Sequence, residues 1–362
     1  MSKSTVYTIG FDVSDETAAI AVLDEAGKVC SERTIPLTVD VVYSTFAAFP
    51  PSRVVMEAGG QTRWLARMIG SLDQEVLIAN PRTIPLLTKN NRKSDRTDAL
   101  LLARLGRVDP GLLSPVVLRS EAAQEDLMEL RARDHLVGQR TSTIAFVRSQ
   151  AKQFGTRLGK CDADVFDRKA VEWLPALLLD RLQPMIDQVR LLTEQIKSYE
   201  RRMQQMLERY PAAAAFARQI NGVGPITALT FVLTIDDPHR FSHSRSVGAY
   251  AGLAPKRDQS GESDPQLRIS KAGNALMRRL LVQCAQYILG PFGKDSDLRR
   301  FGLRLAGAGS RRQKRRAVVA VARKLAVLIH ALWKSSSSIP RTHTSPTSRG
   351  KRRAPKSCPR GL

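Results

Sequence analysis

Cysteine is scarce. Cys30, Cys161, Cys284 and Cys358 lie far apart and form no Cys-x-x-Cys pair, which argues against a zinc site or a disulfide framework and suits reduced thiols in a cytosol. Met1-Ser2-Lys3-Ser4 runs straight into a strand pattern, with none of the apolar core of a signal peptide. Long apolar runs are missing as well. The stretch from Ala317 to Trp333 comes nearest, but Arg323 and Lys324 sit at its centre, so it reads as an amphipathic packed helix and not as a membrane span. Acid is absent from the end of the chain: no Asp or Glu follows Asp297, while Arg299 to Arg360 supplies 18 basic residues.

Base is what the chain has in excess. Lys and Arg number 57 against 34 Asp and Glu, for a net charge of +23, and an excess of that size points to a polyanion partner. Neither a lipid anchor nor a long lipid-facing apolar side accompanies the charge, which favours nucleic acid over a membrane surface. The length of 362 residues allows two or more cored domains.

Residues 1 to 118 read as an α/β domain. Val6–Val13, Thr17–Asp24 and Lys28–Ile35 look like three sequential strands, with a turn at Glu25-Ala26-Gly27. A helix near Val41–Phe49, a strand Arg53–Glu57, a helix Gln61–Leu72 and a strand Glu75–Ala79 follow. The stretch Asn91-Arg92-Lys93-Ser94-Asp95-Arg96-Thr97-Asp98 then opens a helix whose apolar side is Leu100, Leu101, Leu102 and Leu105, with Ser94 or Thr97 as its cap. Three strands followed by alternating helix and strand is the ribonuclease-H-like order. In such a sheet Asp12 lies on the first strand and Glu57 at the carboxyl end of a neighbour, and the late helix brings Asp95 and Asp98 over the same edge. Acids in a first helical turn are ordinary partners of the macrodipole. Four carboxylates at one edge, however, repel unless cations separate them, and Mg²⁺ with its oxygen ligands suits that set. The segment Ile9-Gly10-Phe11-Asp12-Val13-Ser14 before a hairpin also resembles the first phosphate loop of actin-like ATPases. Glu57-Ala58-Gly59-Gly60 is the only further glycine-rich candidate for that use, which leaves the basic tail unexplained.

From 119 to 210 proline and glycine thin out, and two long helices are expected. The second carries a heptad seam of Leu182, Met185, Val189, Leu192, Ile196, Tyr199, Met203 and Met206, which fits either an intrachain hairpin or a dimerising coiled coil. Residues 211 to 334 read as a mainly helical domain. Ile220-Asn221-Gly222-Val223-Gly224-Pro225 has the look of a helix-hairpin-helix turn, in which Gly222 and Gly224 leave N–H groups at a helix start for a phosphate, or of a plain helix-helix turn. His239 and His243 are four apart, but Pro238 and the loop residues around them spoil a helical ligand pair, so both are expected in solvent.

Two further segments complete the set: Gly252-Leu253-Ala254-Pro255 running to Ser260-Gly261, and Ile269-Ser270-Lys271-Ala272-Gly273-Asn274 opening a helix. Together with Asp12, Glu57, Asp95, Asp98 and Gly222-Val223-Gly224-Pro225, they resemble, in order and from Val6 to Trp333, the insertion sequence 110 family of transposases. The resemblance implies an N-terminal RuvC-like DEDD domain and a C-terminal serine transposase domain. It implies that Asp12, Glu57, Asp95 and Asp98 bind Mg²⁺ and that Ser260 attacks a DNA phosphate to form a covalent phosphoserine link. A structured bridge RNA encoded by the element would pair with donor and target DNA. The protein would act as a homo-oligomer, a dimer or tetramer, joining the acidic domain of one subunit to the serine domain of another.

The residues themselves add detail. A serine hydroxyl needs a base or a cation to become a good nucleophile, and near Ser260 only Asp258 and Glu262 offer one by proximity. Lys256, Arg257, Arg268 and Lys271 can grip a phosphate, or serve as a general basic surface. Arg311, Arg312, Arg315 and Arg316 open a helix with a strongly cationic side, and 335 to 362 is a basic tail expected to stay disordered and to bind DNA or RNA backbone in a salt-dependent way. The expectation is therefore a cytoplasmic, nucleoid-associated enzyme of DNA transposition. A hydrolytic junction-resolvase-like nuclease and a non-catalytic nucleic-acid-binding protein are the alternatives.

Overall fold

A computed structural model describes residues 6–81, 94–265 and 267–337. The chain divides into two compact units, Met1–Leu118 and Arg119–Leu362.

The first unit is built on five strands, β1 (Thr8–Val13), β2 (Thr17–Leu23), β3 (Val29–Pro36), β4 (Arg53–Glu57) and β5 (Glu75–Ala79). They lie in the order β3-β2-β1-β4-β5. The first three pair antiparallel as a meander, and β4 and β5 add on parallel to β1. Alternation along the strands decides what each face meets. Ile9, Phe11, Ile20, Val22, Val54 and Met56 pack with Val42 and Phe46 of α1 (Val39–Ala47) and Leu65 and Ile69 of α2 (Thr62–Gly70).

The opposite face is lined by small side chains because a helix lies directly on it. That helix is α3 (Asp95–Val108). Ala99 packs against Ala19 and Ala21, and Leu102 against Val55. At Gly10 the approach is between backbones: a Cβ there would sit 1.8 Å from the Ala99 carbonyl oxygen and 2.8 Å from the Ala103 nitrogen. Near its other end, α3 is held by the Arg53 guanidinium, which donates to the Gly106 carbonyl at 3.0 Å and to Glu75 of the neighbouring β5 at 3.0 Å. Ser94 is the cap, its hydroxyl accepting from the Thr97 amide while Thr97 answers the Ser94 amide. Asn91, Arg92 and Lys93 lie outside the described residues.

The second unit is helical. α4 (Glu121–Gln153) and α6 (Ala176–Arg209) run antiparallel, as the pairs Glu129–Arg202, Arg133–Glu200 and Arg140–Thr193 record. The heptad seam is thus closed within the chain: Leu182, Val189, Leu192, Ile196, Met203 and Met206 are buried. Ile186 takes the place expected for Met185, which is half-buried with Tyr199. Where only a connection between two long helices was expected, α5 (Phe166–Trp173) intervenes and caps the far end with Phe166 and Ala170. Arg148 stacks on Phe166.

The remaining helices are α7 (Pro211–Gln219), α8 (Pro225–Ile235), α9 (Arg245–Tyr250), α10 (Ala275–Leu289), α11 (Asp297–Ala306) and α12 (Arg311–Ser337). They surround α8, in which every residue from Thr227 to Ile235 is buried. The base of the long helix pair joins this core through Leu127, Leu130, Met203 and Leu207. α12 behaves as its pattern requires: Ala317, Val321, Leu325, Ile329 and Trp333 are buried while Arg323 and Lys324 stay exposed. It continues to Ser337, three residues into the expected tail, and the rest of the tail lies outside the described residues. His330, on the same helix, is fully buried; its Nε2 donates to the Pro238 carbonyl at 2.9 Å, which leaves Nδ1 to accept from the Ser244 hydroxyl. Burial pushes its pKa below the ordinary value, and Lys334 and His239 push the same way. His239 and His243 are exposed. Among the described residues no helix is long and apolar enough to cross a membrane.

The Gly10 contact gives a direct test. Gly10→Ala puts a methyl group into backbone that has no rotamer with which to yield, and overpacking of this kind costs about 3 kcal/mol or more. Gly60→Ala, with open space around the added atom, is expected to change stability by about 0.5 kcal/mol or less. Urea unfolding of both variants measures the difference; equal midpoints would mean that α3 does not sit on β1 as described.

Candidate active site and nucleic-acid interface

In the first unit the sheet and α3 converge at one edge. β1 and β4 are parallel, and their ladder runs up to Phe11 opposite Met56. Asp12 and Glu57 are the next residues on adjacent strands, which lie about 4.8 Å apart. Phe11 and Met56 enter the core under α1 and α2. By alternation Asp12 and Glu57 therefore face the side that carries α3. The chain turns directly after Glu57, where the Thr62 hydroxyl donates to the Glu57 carbonyl and accepts from the Gly59 amide.

The path of α3 brings its acids to that edge. Ala99 lies over Gly10, and Gly106 over Val55 and Arg53. Val55 pairs with Gly10 and Arg53 with Thr8, so moving along α3 from Ala99 to Gly106 leads towards the strand starts. The first turn, with Asp95 and Asp98, points towards the carboxyl ends that carry Asp12 and Glu57. The four acids are not equally placed: Asp98 is 4% exposed and Asp95 is open to solvent, while Asp12 and Glu57 are half-buried. A carboxylate in a first turn gains from the helix dipole, which offsets part of the cost of burying Asp98. Among the described residues no group of three or more His, Cys, Asp or Glu side chains is arranged to hold a metal ion. What the fold supplies is a shared face and edge with oxygen donors, the chemistry that hard divalent cations take.

In the second unit Ser260 stands at the tip of a narrow ribbon. Its amide donates to the Ser263 carbonyl at 3.1 Å, and its carbonyl accepts from the Ser263 amide at 3.0 Å. Gly261 between them has φ +56°, a first central position that glycine fills without strain in a two-residue hairpin. Ser260, Asp258 and Glu262 are all exposed. Lower down, the ribbon is closed by Lys256 N–H to Arg268 carbonyl at 2.9 Å and Ser270 N–H to Ala254 carbonyl at 2.8 Å.

The root of the ribbon is where the sequence motifs do their structural work. Gly252, at φ +70°, leaves no room for a Cβ beside Lys271 and Ala272, and a Cβ on Gly273 would lie 1.7 Å from the Tyr250 carbonyl oxygen. Arg278 of α10 reaches back into this crossing. One guanidinium nitrogen donates to the carbonyls of Ala251 at 3.2 Å, Lys271 at 3.1 Å and Gly273 at 3.4 Å. Asn274 caps α10 by accepting from the Met277 amide at 2.9 Å. In the sequence Arg278 is simply a basic residue in a helix. Its three contacts are to carbonyls, which no side-chain pattern reveals; the two glycines flanking the serine segment are the available signal.

Lys256, Arg257, Arg268 and Lys271 are exposed and have no ion-pair partner among the described residues. Arg311, Arg312, Arg315 and Arg316 are exposed in the first turns of α12. The turn between α7 and α8 has Gly222 at φ +86° and Gly224 at the cap of α8.

Comparison with known proteins gives a consistent answer. A model described as transposase, of the DEDD type of IS110, matches residues 9–155, and one described as the transposase IS116/IS110/IS902 family matches 214–297. The first span contains the four acids; the second contains the glycine turn and Ser260. The transposase for insertion sequence element IS1111A of Coxiella burnetii is 30% identical, over 91% of this chain and 90% of that one. A probable family 20 transposase of Pseudomonas aeruginosa is 26% identical over 90% of this chain and 96% of its own length. A pilin gene-inverting protein of Moraxella bovis is 26% identical over 77% of this chain and 79% of its own. Matches that run through both units in the same order leave one conclusion: this chain belongs to the IS110 family of transposases, and it is a DNA transposase.

Proposed function

We propose that this transposase excises and inserts its element through attack of the Ser260 hydroxyl on a DNA phosphate, with Asp12, Glu57, Asp95 and Asp98 holding Mg²⁺. The observation that carries the acidic half is the meeting of β1, β4 and the first turn of α3 at one edge. The strand order β3-β2-β1-β4-β5 supports a ribonuclease-H-like, RuvC-like assignment for this unit. The observation that carries the serine half is the ribbon: an exposed hydroxyl at a tip whose root is fixed by two glycines and Arg278.

Mg²⁺ bound at the carboxylates would lower the proton affinity of the attacking hydroxyl and offset charge on the phosphorane. The chain does the rest. Ser260 Oγ forms a bond to phosphorus as the bond to the departing sugar oxygen breaks. Ser260 gives up its proton and the departing oxygen takes one. The phosphoserine link conserves a phosphoester bond, so that a later sugar hydroxyl can displace Oγ and rejoin the strands. Lys256, Arg257, Arg268 and Lys271 flank the ribbon and neutralise the phosphate, the arginines through two oxygens at once.

The partners in this proposal are donor and target DNA and an element-encoded bridge RNA, and the basic surface of α12 supports polyanion binding. Homo-oligomer formation belongs to the same proposal. Because the heptad seam is closed between α4 and α6, a second subunit would have to engage another face of these helices.

The test is a denaturation-resistant protein–DNA adduct formed with Mg²⁺, the element RNA and cognate DNA. The unmodified chain is expected to give the adduct and Ser260→Ala none, while Asp12→Asn lowers its rate by about 10²-fold or more. An adduct that survives Ser260→Ala would remove serine from the mechanism, and cleavage without any adduct would favour hydrolysis by water.

Arg278 acts through the ribbon root and is expected to be a positioning residue. Arg278→Lys keeps a positive charge, but its side chain is one bond shorter, so its ammonium falls short of the three carbonyls. It should slow adduct formation about 10- to 100-fold while DNA affinity stays within about twofold, because the charge that phosphate senses is retained. Loss of affinity in the same proportion as the rate would assign Arg278 to binding instead.

A further inference from the structure

Beside the glycine turn lies a pocket of about 490 Å³, within the roughly 300–1,000 Å³ of small-ligand sites. It is walled by the turn itself, by Arg218 of α7 and by Gln283 and Tyr287 of α10. Among the described residues, Arg218 is the single charged one in the lining, and no acid lines it. Cys284 forms part of the same wall; burial pushes its thiol up, so it stays protonated and adds no negative charge.

Three further features single this pocket out. The side-chain amide nitrogen of Asn221, a lining residue, is buried without a hydrogen-bond partner. A buried donor left unpaired is unfavourable, and a small rotation of this side chain towards the pocket would let a ligand acceptor pair with it. Tyr287 is 45% exposed, and one edge of its ring lies beside Gly222, where an added Cβ would stand 3.0 Å from it. Gly224 has open space where a Cβ would stand, so a ligand can approach the first amides of α8 closely.

We propose that this pocket receives one unpaired nucleotide of a bound strand, with its phosphate at the Gly222–Gly224 turn and its base against Tyr287. The inference rests on the nucleic-acid function proposed above and adds to it a distinction between single strand and duplex. A paired base is stacked between its neighbours and cannot present its face to a tyrosine ring; an unpaired base can. The phosphate meets the helix start and Arg218, and the amides of Asn221 and Gln283 are the right groups to pair with a base edge. A plain anion site would need neither the aromatic ring nor the side-chain amides.

The test uses the full-length chain and two fluorescently labelled probes, a single-stranded oligonucleotide and the duplex of the same sequence, at one salt concentration. Tyr287→Ala is expected to weaken single-strand binding about 5- to 150-fold and to leave duplex binding within about twofold, while Tyr287→Phe behaves as the unmodified chain. Asn221→Asp, nearly isosteric, places a carboxylate in the pocket and should produce the same selective loss should Tyr287→Ala fail to fold. Equal losses on both probes, or no loss on either, would overturn the pocket assignment while leaving the wider function standing. Failure of the unmodified chain to bind either probe would sink both together.

Discussion

Gly10 has no side chain, and the carbonyl oxygen of Ala99 occupies the place where one would begin. On that contact the geometry of the first unit depends. A helix resting on a sheet through ordinary side chains stands about 10 Å away; this one comes closer, with Ala19, Ala21 and Ala99 around the crossing. The close approach fixes where α3 begins. Because the helix runs from the carboxyl ends of β1 and β4 towards their starts, Asp95 and Asp98 are delivered to the edge that holds Asp12 and Glu57. The capping box at Ser94 and Thr97 sets the first turn, and Arg53 anchors the other end.

The serine follows the opposite design. No core surrounds it, and its position comes from a ribbon whose root is crowded: Gly252 and Gly273 allow the two strands of the root to cross, and Arg278 ties three carbonyls there. An exposed hydroxyl on a braced tip can reach a phosphate that a buried one could not. The cost of ordering the tip is small, since the Ser260–Ser263 pair and Gly261 close it with only two residues between them. Lys271, in the left-handed region at φ +56°, is held there by its amide bond to the Gly252 carbonyl; residues so constrained are concentrated at working sites.

Much of this was legible in the chain. Strand alternation gave β1 to β5 within a residue or two, because each strand has one face on a core whose partners share its period. The seam of α6 was visible as a heptad; that it closes within the chain depends on α4, whose own pattern is interrupted at Asp134, an acid that pairs with Arg279 of α10. α5 left no signal because eight residues carry too little periodicity. The acids were picked out from the order of strands and helices, whereas Ser260 came only from family resemblance, since groups far apart in sequence meet only through topology. Arg278, His330 and Asp126 were missed for a related reason. Asp126 accepts from Arg209 at 2.7 Å and from Tyr210 at 2.6 Å, contacts made across the helix pair that no local motif announces.

The central claim is that the edge formed by β1, β4 and α3 is a site for divalent cations. Mn²⁺ soaked into crystals of the protein, located by its anomalous scattering, addresses this without reference to activity. The account predicts a peak about 2.0–2.4 Å from carboxylate oxygens of Asp12 and Glu57, with Asp95 or Asp98 completing the set, and its loss in Asp12→Asn. Strong peaks elsewhere on the protein, with none at this edge at saturating Mn²⁺, would contradict it.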